Sequence, residues 1–388
     1  MRAMYAAMML VRLPVGITGL ALVLFLRAET GSFAVAGAAV GGMALGAGVG
    51  APVGARLVDA HGARVLLALA GAHAAGLGCV VALGYAPAPA GVLVGATFLT
   101  GVALPPASSV MRALFPRLLA GDAALIQSAY ALDSVLTETI FVAGPLITAV
   151  LVALVAPAAA LGISALAVVT GAALFLAALP PGDPARLPSS TPVPDRFGAL
   201  RAPGIRTLIG AMLPVGFALG SLEVALPAFA QDRGRPELAG VLIAFWSVGS
   251  VAGGLVYGAR ARRRSLGQVH LLVALLLPLG FLPLALAGSV VAMAILVVPA
   301  GVLIAPLLAT RNELAAAVAP AGSRTEAITW PLTAMIAGVS LGAAAAGGLV
   351  EASGWRLAIV VGAAAAGVGA AVALARRRTL EPAAAVAA

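Results

Sequence analysis

Lysine is absent from this chain, cysteine occurs once and histidine three times. Without lysine no G-x-x-x-x-G-K-[ST] loop exists to cradle a nucleotide phosphate, which disfavours an ATP-driven pump. The single thiol, Cys79, has no intrachain disulfide partner, and no Cys/His group has metal-ligand spacing, so neither a disulfide scaffold nor a metal centre is expected. Charge is scarce as well. Only 10% of the 388 residues are charged, against ~25% in soluble domains, while 62% are hydrophobic and the mean hydropathy is +1.10. An ordinary soluble domain is excluded, and an all-α polytopic membrane protein is expected.

Crossing a bilayer takes about 20 apolar residues at ~1.5 Å each. Twelve runs qualify, near 5–26, 33–56, 64–84, 90–111, 128–155, 158–179, 205–230, 238–258, 268–287, 289–310, 326–350 and 356–375. The first is read as a span and not a signal peptide, because no small-residue cleavage site follows it. All 23 basic residues are arginine. With the N-terminus in the cytoplasm, only Arg27, Arg233, Arg235 and Arg356 fall outside, which is the asymmetry of twelve spans with both termini inside. The net charge of +9 is thereby a topology signal, and the runs at Arg260–Arg264 and Arg376–Arg378 read as anchors at the anionic leaflet, not as a nucleic-acid site.

The chain repeats itself 200 positions apart. Leu13-Pro14-Val15-Gly16 returns as Leu213-Pro214-Val215-Gly216, and Gly101-Val102 with Pro106 returns as Gly301-Val302 with Pro306. Two related membrane halves are a common build of secondary transporters. Between spans 6 and 7 the stretch PPGDPARLPSSTPVPDRFGALRAPG collects proline, serine and charge and reads as a linker. The expected organisation is a six-helix half at 1–179, a cytoplasmic linker at 180–204 and a second six-helix half at 205–388.

Gly42, Gly46, Gly50 and Gly54 recur every four residues in span 2 and form a bare ridge for close helix approach. Ser250, Gly254 and Gly258 in span 8, and Ala334, Gly338, Gly342 and Ala346 in span 11, read the same way. Such ridges fit either static packing or a sliding contact between the halves. Gly338-Val339-Ser340-Leu341-Gly342 matches the hydrolase pattern G-x-S-x-G, but it lies in an apolar helix and not at a strand-to-helix turn, so no enzyme is expected.

The junction Ala55-Arg56-Leu57-Val58-Asp59-Ala60-His61-Gly62-Ala63-Arg64 resembles the loop signature of the major facilitator superfamily, roughly G-x-L-x-D-R-x-G-x-R. Ala55 stands where that signature has glycine, and Ala60 replaces its first arginine. Gly253-Gly254-Leu255-Val256-Tyr257-Gly258-Ala259-Arg260 is similar to a degraded second copy without the aspartate, and Ala143-Gly144-Pro145 resembles a fragment of the Gly-Pro signature of antiporter branches. The arginine that many proton antiporters carry within helix 4 has no counterpart in Thr97-Phe98-Leu99-Thr100-Gly101. The resemblance implies a twelve-helix facilitator fold in a bacterial inner membrane, with a substrate not assigned. It also implies a gating role for Asp59 and Arg64, which Arg112 would join by reaching Asp59; snorkelling of Arg112 and Arg311 at their helix ends is the alternative.

An ionisable group at the bilayer centre costs ~2.5–3.5 kcal/mol even on lenient scales, so each one in a span needs a partner, a wet cavity or a task. Arg12 lies about two turns into span 1. Glu138 lies ~5 Å from the middle of span 5 at the helical rise, on one face with Ser134, Pro145 and Thr148. Because helices 1 and 5 are neighbours in the superfamily, the resemblance implies an Arg12–Glu138 pair, serving either function or structure. Glu223, ~9 Å beyond the middle of span 7 toward the outside, has no evident basic partner; the resemblance puts it on the central cavity as a proton carrier or a site for a cationic group, and an outer-leaflet residue reaching water is the alternative. Asp133, nearer the cytoplasm, reads as a further proton-coupling candidate or a solvated residue at the helix mouth. His73 reads as a packing histidine. Phe98, Phe217 and Trp246 are candidates to shape an apolar pocket, while Trp330 and Trp355 fit interfacial anchoring.

These residues lead to the expectation of a secondary transporter that moves a small organic solute by alternating access, with proton-coupled efflux preferred over uptake of an amphiphilic metabolite and over a non-transporting sensor or scaffold. Its expected partners are the solute, protons and the lipid bilayer, with no cofactor, no nucleic acid and a monomeric state.

Overall fold

In the computed structural model, residues 2–119, 122–179, 198–259, 264–320 and 323–381 are described, and among them there is no strand. The helices are α1 (Arg2–Thr30), α2 (Phe33–His61), α3 (Arg64–Tyr85), α4 (Ala90–Val102), α5 (Ala107–Leu118), α6 (Ala123–Leu154) and α7 (Pro157–Ala178). Then come α8 (Pro203–Asp232), α9 (Leu238–Ala259), α10 (Leu266–Phe281), α11 (Val290–Val302), α12 (Ile304–Ala317), α13 (Arg324–Ser353) and α14 (Trp355–Ala375). Among the described residues, twelve segments are long and apolar enough to cross a membrane, and each overlaps one of the twelve hydrophobic runs. Most of the proline-rich linker, 180–197, lies outside the described residues.

The fourth and tenth spans are each two helices, α4 with α5 and α11 with α12. Both break directly after the repeated Gly-Val pair, at Val102 and at Val302. Pro106 stands just before α5, and Pro306 lies in the first turn of α12, where its missing N–H leaves no helical hydrogen bond unmade. Turns are closed by glycine where the backbone requires it: Gly62 between α2 and α3, and Gly354 between α13 and α14, both have φ +85°, a conformation that strains any residue with a Cβ.

By internal contacts the chain forms two units, Met1–Thr191 with Gly234–Ala244, and Pro192–Arg233 with Phe245–Ala388. In the first, α1 packs on α7, α6 and α2. Its buried Met4, Met8 and Val11 share a core with Phe115 and Phe175. The repeated motif acts here through its glycine: a methyl on Gly144 of α6 would lie 2.5 Å from the carbonyl carbon of Gly16, so the two backbones touch. The α2 ridge lies against α4, with Gly46 at the Phe98 carbonyl and Gly50 at the Val102 carbonyl. Gly101 of α4 answers at the Met43 carbonyl. Buried hydroxyls find partners across helices, as in Thr18 Oγ1 with Ser164 Oγ at 2.8 Å.

The second unit repeats the plan. Gly216 of α8 meets the Met335 carbonyl and Gly220 that of Val339, while Gly338 and Gly342 of α13 meet the carbonyls of Leu213 and Phe217. In α14, a methyl on Gly369 would lie 2.7 Å from the Ala211 carbonyl oxygen. Ser221 donates to the Ala358 carbonyl at 2.7 Å, tying α8 to α14.

Two expectations are corrected. The ridges of α2 and α13 pack within their own units, because each faces a backbone stripe on α4 or α8 that has the same spacing. In α9 the packing glycines are Gly249 and Gly253, against the Val298 and Val302 carbonyls. A methyl on Gly254 would meet the Ala305 side chain at 3.1 Å, and one on Gly258 would meet nothing within 4 Å. A four-residue spacing occurs in both sets, one position apart and ~100° around the helix, and only the tertiary contact selects between them.

Candidate functional site

In the first unit, three charged side chains from three helices meet. Arg12 of α1 places Nη1 2.5 Å from Asp133 Oδ1 of α6, and Arg112 of α5 donates from Nε to Asp133 Oδ2 at 2.8 Å. Asp133 is fully buried and the Arg12 side chain is 6% exposed, whereas that of Arg112 is 49% exposed. Thr137 donates to the Asp133 carbonyl at 2.8 Å and accepts from Arg12 Nη1 at 3.5 Å. Among the described residues, Nε and Nη2 of Arg12 are buried without a hydrogen-bond partner.

This arrangement replaces the expected Arg12–Glu138 pair. The face of α6 turned to α1 carries Asp133, Thr137, Gly144 and Thr148; Thr148 donates to the carbonyls of Gly144 at 3.0 Å and Ile17 at 3.5 Å. Glu138 follows Thr137 by one residue and is therefore rotated ~100° away from α1. Nor is Asp133 a solvated residue at a helix mouth, because α6 begins at Ala123 and covers it. Arg112 binds Asp133 and not Asp59. Among the described residues, neither Asp59 nor Arg64 forms an ion pair.

Glu138 and Glu223 are both half-buried. Neither has an ion-pair or hydrogen-bond partner among the described residues. Trp246 is buried edge-on to Phe281, with ring centroids 6.4 Å apart, and its Nε1 has no partner. Phe98 and Phe217 are half-buried and contribute their backbone carbonyls to helix packing. Trp355, the first residue of α14, is buried, edge-on to Phe229 at 4.9 Å and donating to Asp232 at the end of α8 at 3.4 Å.

Sequence reasoning missed the polar cluster of the second unit. Arg311 of α12 is 4% exposed. Its Nη2 and Nε donate to Asn312 Oδ1 at 2.7 and 3.2 Å, and its Nη1 lies 3.4 Å from Met335 Sδ of α13. It does not end its helix, because α12 continues to Ala317, and its side chain is enclosed instead of reaching solvent. The preceding Thr310 donates to the Pro306 carbonyl at 2.9 Å and so accepts from Nδ1 of the buried His270 at 2.9 Å. His73 of the first unit donates likewise from Nδ1 to the Thr100 carbonyl at 2.8 Å. Both histidines tie the third span of a unit to its fourth, which is the packing role expected for His73. The available signal for the cluster was the run Thr310-Arg311-Asn312-Glu313 inside an apolar segment.

The Major Facilitator Superfamily model matches residues 4–330. The chain belongs to that superfamily. No curated protein shows a significant sequence match. Among solved structures, the fold is similar to the nucleoside transporter NupG at 14% identity, TM-score 0.79, covering 97% of this chain and 99% of that one. It is also similar to a POT family transporter in complex with a thioalcohol-conjugated peptide (13%, TM-score 0.73, 98% and 96% covered). A bacterial homologue of the iron transporter ferroportin in an inward-facing state matches at 17%, TM-score 0.74, with 96% and 98% covered. At these identities the likeness is one of fold, and with the family it makes this facilitator-fold chain a membrane transporter.

Proposed function

We propose that this superfamily member is a proton-coupled secondary transporter that exports a small organic solute across a bacterial inner membrane, with both termini in the cytoplasm. The observation carrying the coupling is that Glu138 and Glu223 lie in membrane-spanning helices without a partner among the described residues. An ionised carboxylate at that depth opposes reorientation by ~2.5–3.5 kcal/mol, and protonation removes the opposition. Export follows from the Gly144-Pro145 fragment on α6 and from the scarcity of the uncharged polar side chains that a sugar site would need. The orientation follows from the arginine asymmetry.

The test is proton movement in proteoliposomes with an internal pH dye, challenged with hydrophobic cations, organic anions, antibiotics, sugars and amino acids. Wild type is run beside Glu138→Gln and Glu223→Gln. Compound-dependent proton flux that disappears in either variant is expected. Flux unchanged in both variants removes these carboxylates as carriers, and accumulation of the compound against an inward proton gradient fixes the direction.

A further inference from the structure

Arg311 presents a problem that the rest of its unit does not solve. The residue is 4% exposed and its guanidinium keeps its proton, so a full positive charge is enclosed at α12. Burying a lone charge is costly unless an opposite charge compensates it. Among the described residues no carboxylate pairs with it. The acids nearby are committed elsewhere: Glu313 accepts from Tyr257 at 3.0 Å, and Glu326 accepts from Trp330 at 3.0 Å and from the Ala199 N–H at 3.2 Å.

The first unit shows what compensation looks like. There, α6 sends Asp133 to the arginine of the fourth span. In the second unit α13 takes the place of α6, and it offers Arg311 the thioether of Met335. Asn312 holds the guanidinium through Nε and Nη2 and supplies no charge. What remains is an oriented cationic edge at Nη1 covered by a weak acceptor on a flexible side chain, which can swing aside. One turn to either side on α12, the buried Leu307 and Leu314 make the surroundings apolar.

Resting on the reading of the chain as a transporter of a small organic solute, we infer that Arg311 receives the anionic group of that solute, a carboxylate, sulfonate or phosphate ester on an apolar body. Met335 holds the place of the ligand when none is bound. The planar fork suits such oxyanions, and the apolar wall selects an amphiphilic organic anion over a small inorganic one.

Thermal unfolding of the purified full chain in detergent tests this without any measurement of proton flux. The probes are octanoate with octanamide, benzoate with benzamide, phenyl phosphate with phenol, decanesulfonate with decanol, and inorganic phosphate alone. The variants are Arg311→Gln and Met335→Glu. At least one organic anion is expected to raise the wild-type midpoint by a few degrees where its neutral partner does not, and both variants are expected to lose that response. Met335→Glu, which supplies the carboxylate internally, is also expected to unfold at a higher temperature than wild type without ligand. A response retained in either variant overturns the inference, as does a panel in which no organic anion exceeds its neutral partner. Should Arg311→Gln fail to fold, the response of Met335→Glu decides alone. Loss of proton coupling in the glutamate variants and loss of anion binding here are separate results.

Discussion

Replacing Asp133 by asparagine keeps the side-chain shape and removes one charge from a site that water does not reach. Two unit charges ~4 Å apart interact by ~4 kcal/mol at an effective dielectric of ~20, and removing one partner of a buried pair typically costs ~3–5 kcal/mol. The two arginines do not share this loss equally. Arg12 is enclosed, and among the described residues the other hydrogen-bond partner of its Nη1 is the uncharged Thr137 at 3.5 Å, so its charge is left uncompensated. The Arg112 side chain is 49% exposed, and water takes over most of its part, which leaves ~1 kcal/mol or less. Asp133→Asn is therefore expected to lose ~3–5 kcal/mol of stability. Arg12→Met keeps Asp133 paired with Arg112 and is expected to lose less, ~1–3 kcal/mol. The double variant Arg12→Met with Asp133→Leu leaves only a half-exposed arginine and is expected to recover much of the Asp133→Asn loss. Reversible unfolding in mixed detergent micelles measures all three. If Asp133→Asn unfolds within ~1 kcal/mol of wild type, or the double variant is no more stable than Asp133→Asn, the electrostatic account of this cluster is wrong.

Gly16→Ala places a methyl against the α6 backbone and is expected to cost ~1–3 kcal/mol in the same assay, whereas Gly19→Ala, with nothing within 4 Å, gains ~0.5–1 kcal/mol from helix propensity. In α9, Gly253→Ala meets the Val302 carbonyl and destabilises while Gly258→Ala is tolerated; the reverse order would put the packing face on the other side of the helix. Met212→Arg, which copies Arg12 into the second unit, adds a buried cation at a position fully shielded from solvent and is expected to lose ~2.5–3.5 kcal/mol by unfolding.

The twelve spans were legible because they depend on a local quantity, hydrophobic length; the breaks in the fourth and tenth spans were not anticipated, although the repeated Gly-Val pair and the proline after it mark both places. The close contacts were half legible. A four-residue glycine spacing marks a helix that packs, but Gly249 with Gly253 and Gly254 with Gly258 both satisfy it, and only the opposing backbone decides. The charged cluster was the least legible part. Thr137 and Glu138 are adjacent in sequence and point ~100° apart on the helix, so an uncertainty of one residue in the facing angle of α6 moved the partner of Arg12 from Asp133 to Glu138. The burial of Asp133 depended on the start of α6 at Ala123, which polar residues in its first turns obscure.

The internal repeat separates packing from chemistry in a way that neither half would show alone. Positions 16 and 216, and 101 and 301, are glycine in both halves, and in both they carry one backbone against another. Position 12 is arginine and position 212 is methionine; the fourth span's arginine meets aspartate in one unit and a thioether in the other. What the halves share is thus the geometry of helix contact, and what distinguishes them is where charge is compensated. A unit that neutralises its own buried arginine is stable without a ligand, whereas one that leaves its arginine uncompensated gains stability when an anion arrives. That difference gives the second unit a free-energy reason to respond to an anionic solute that the first unit lacks, and Met335→Glu, by making the two units alike, is the substitution that removes it.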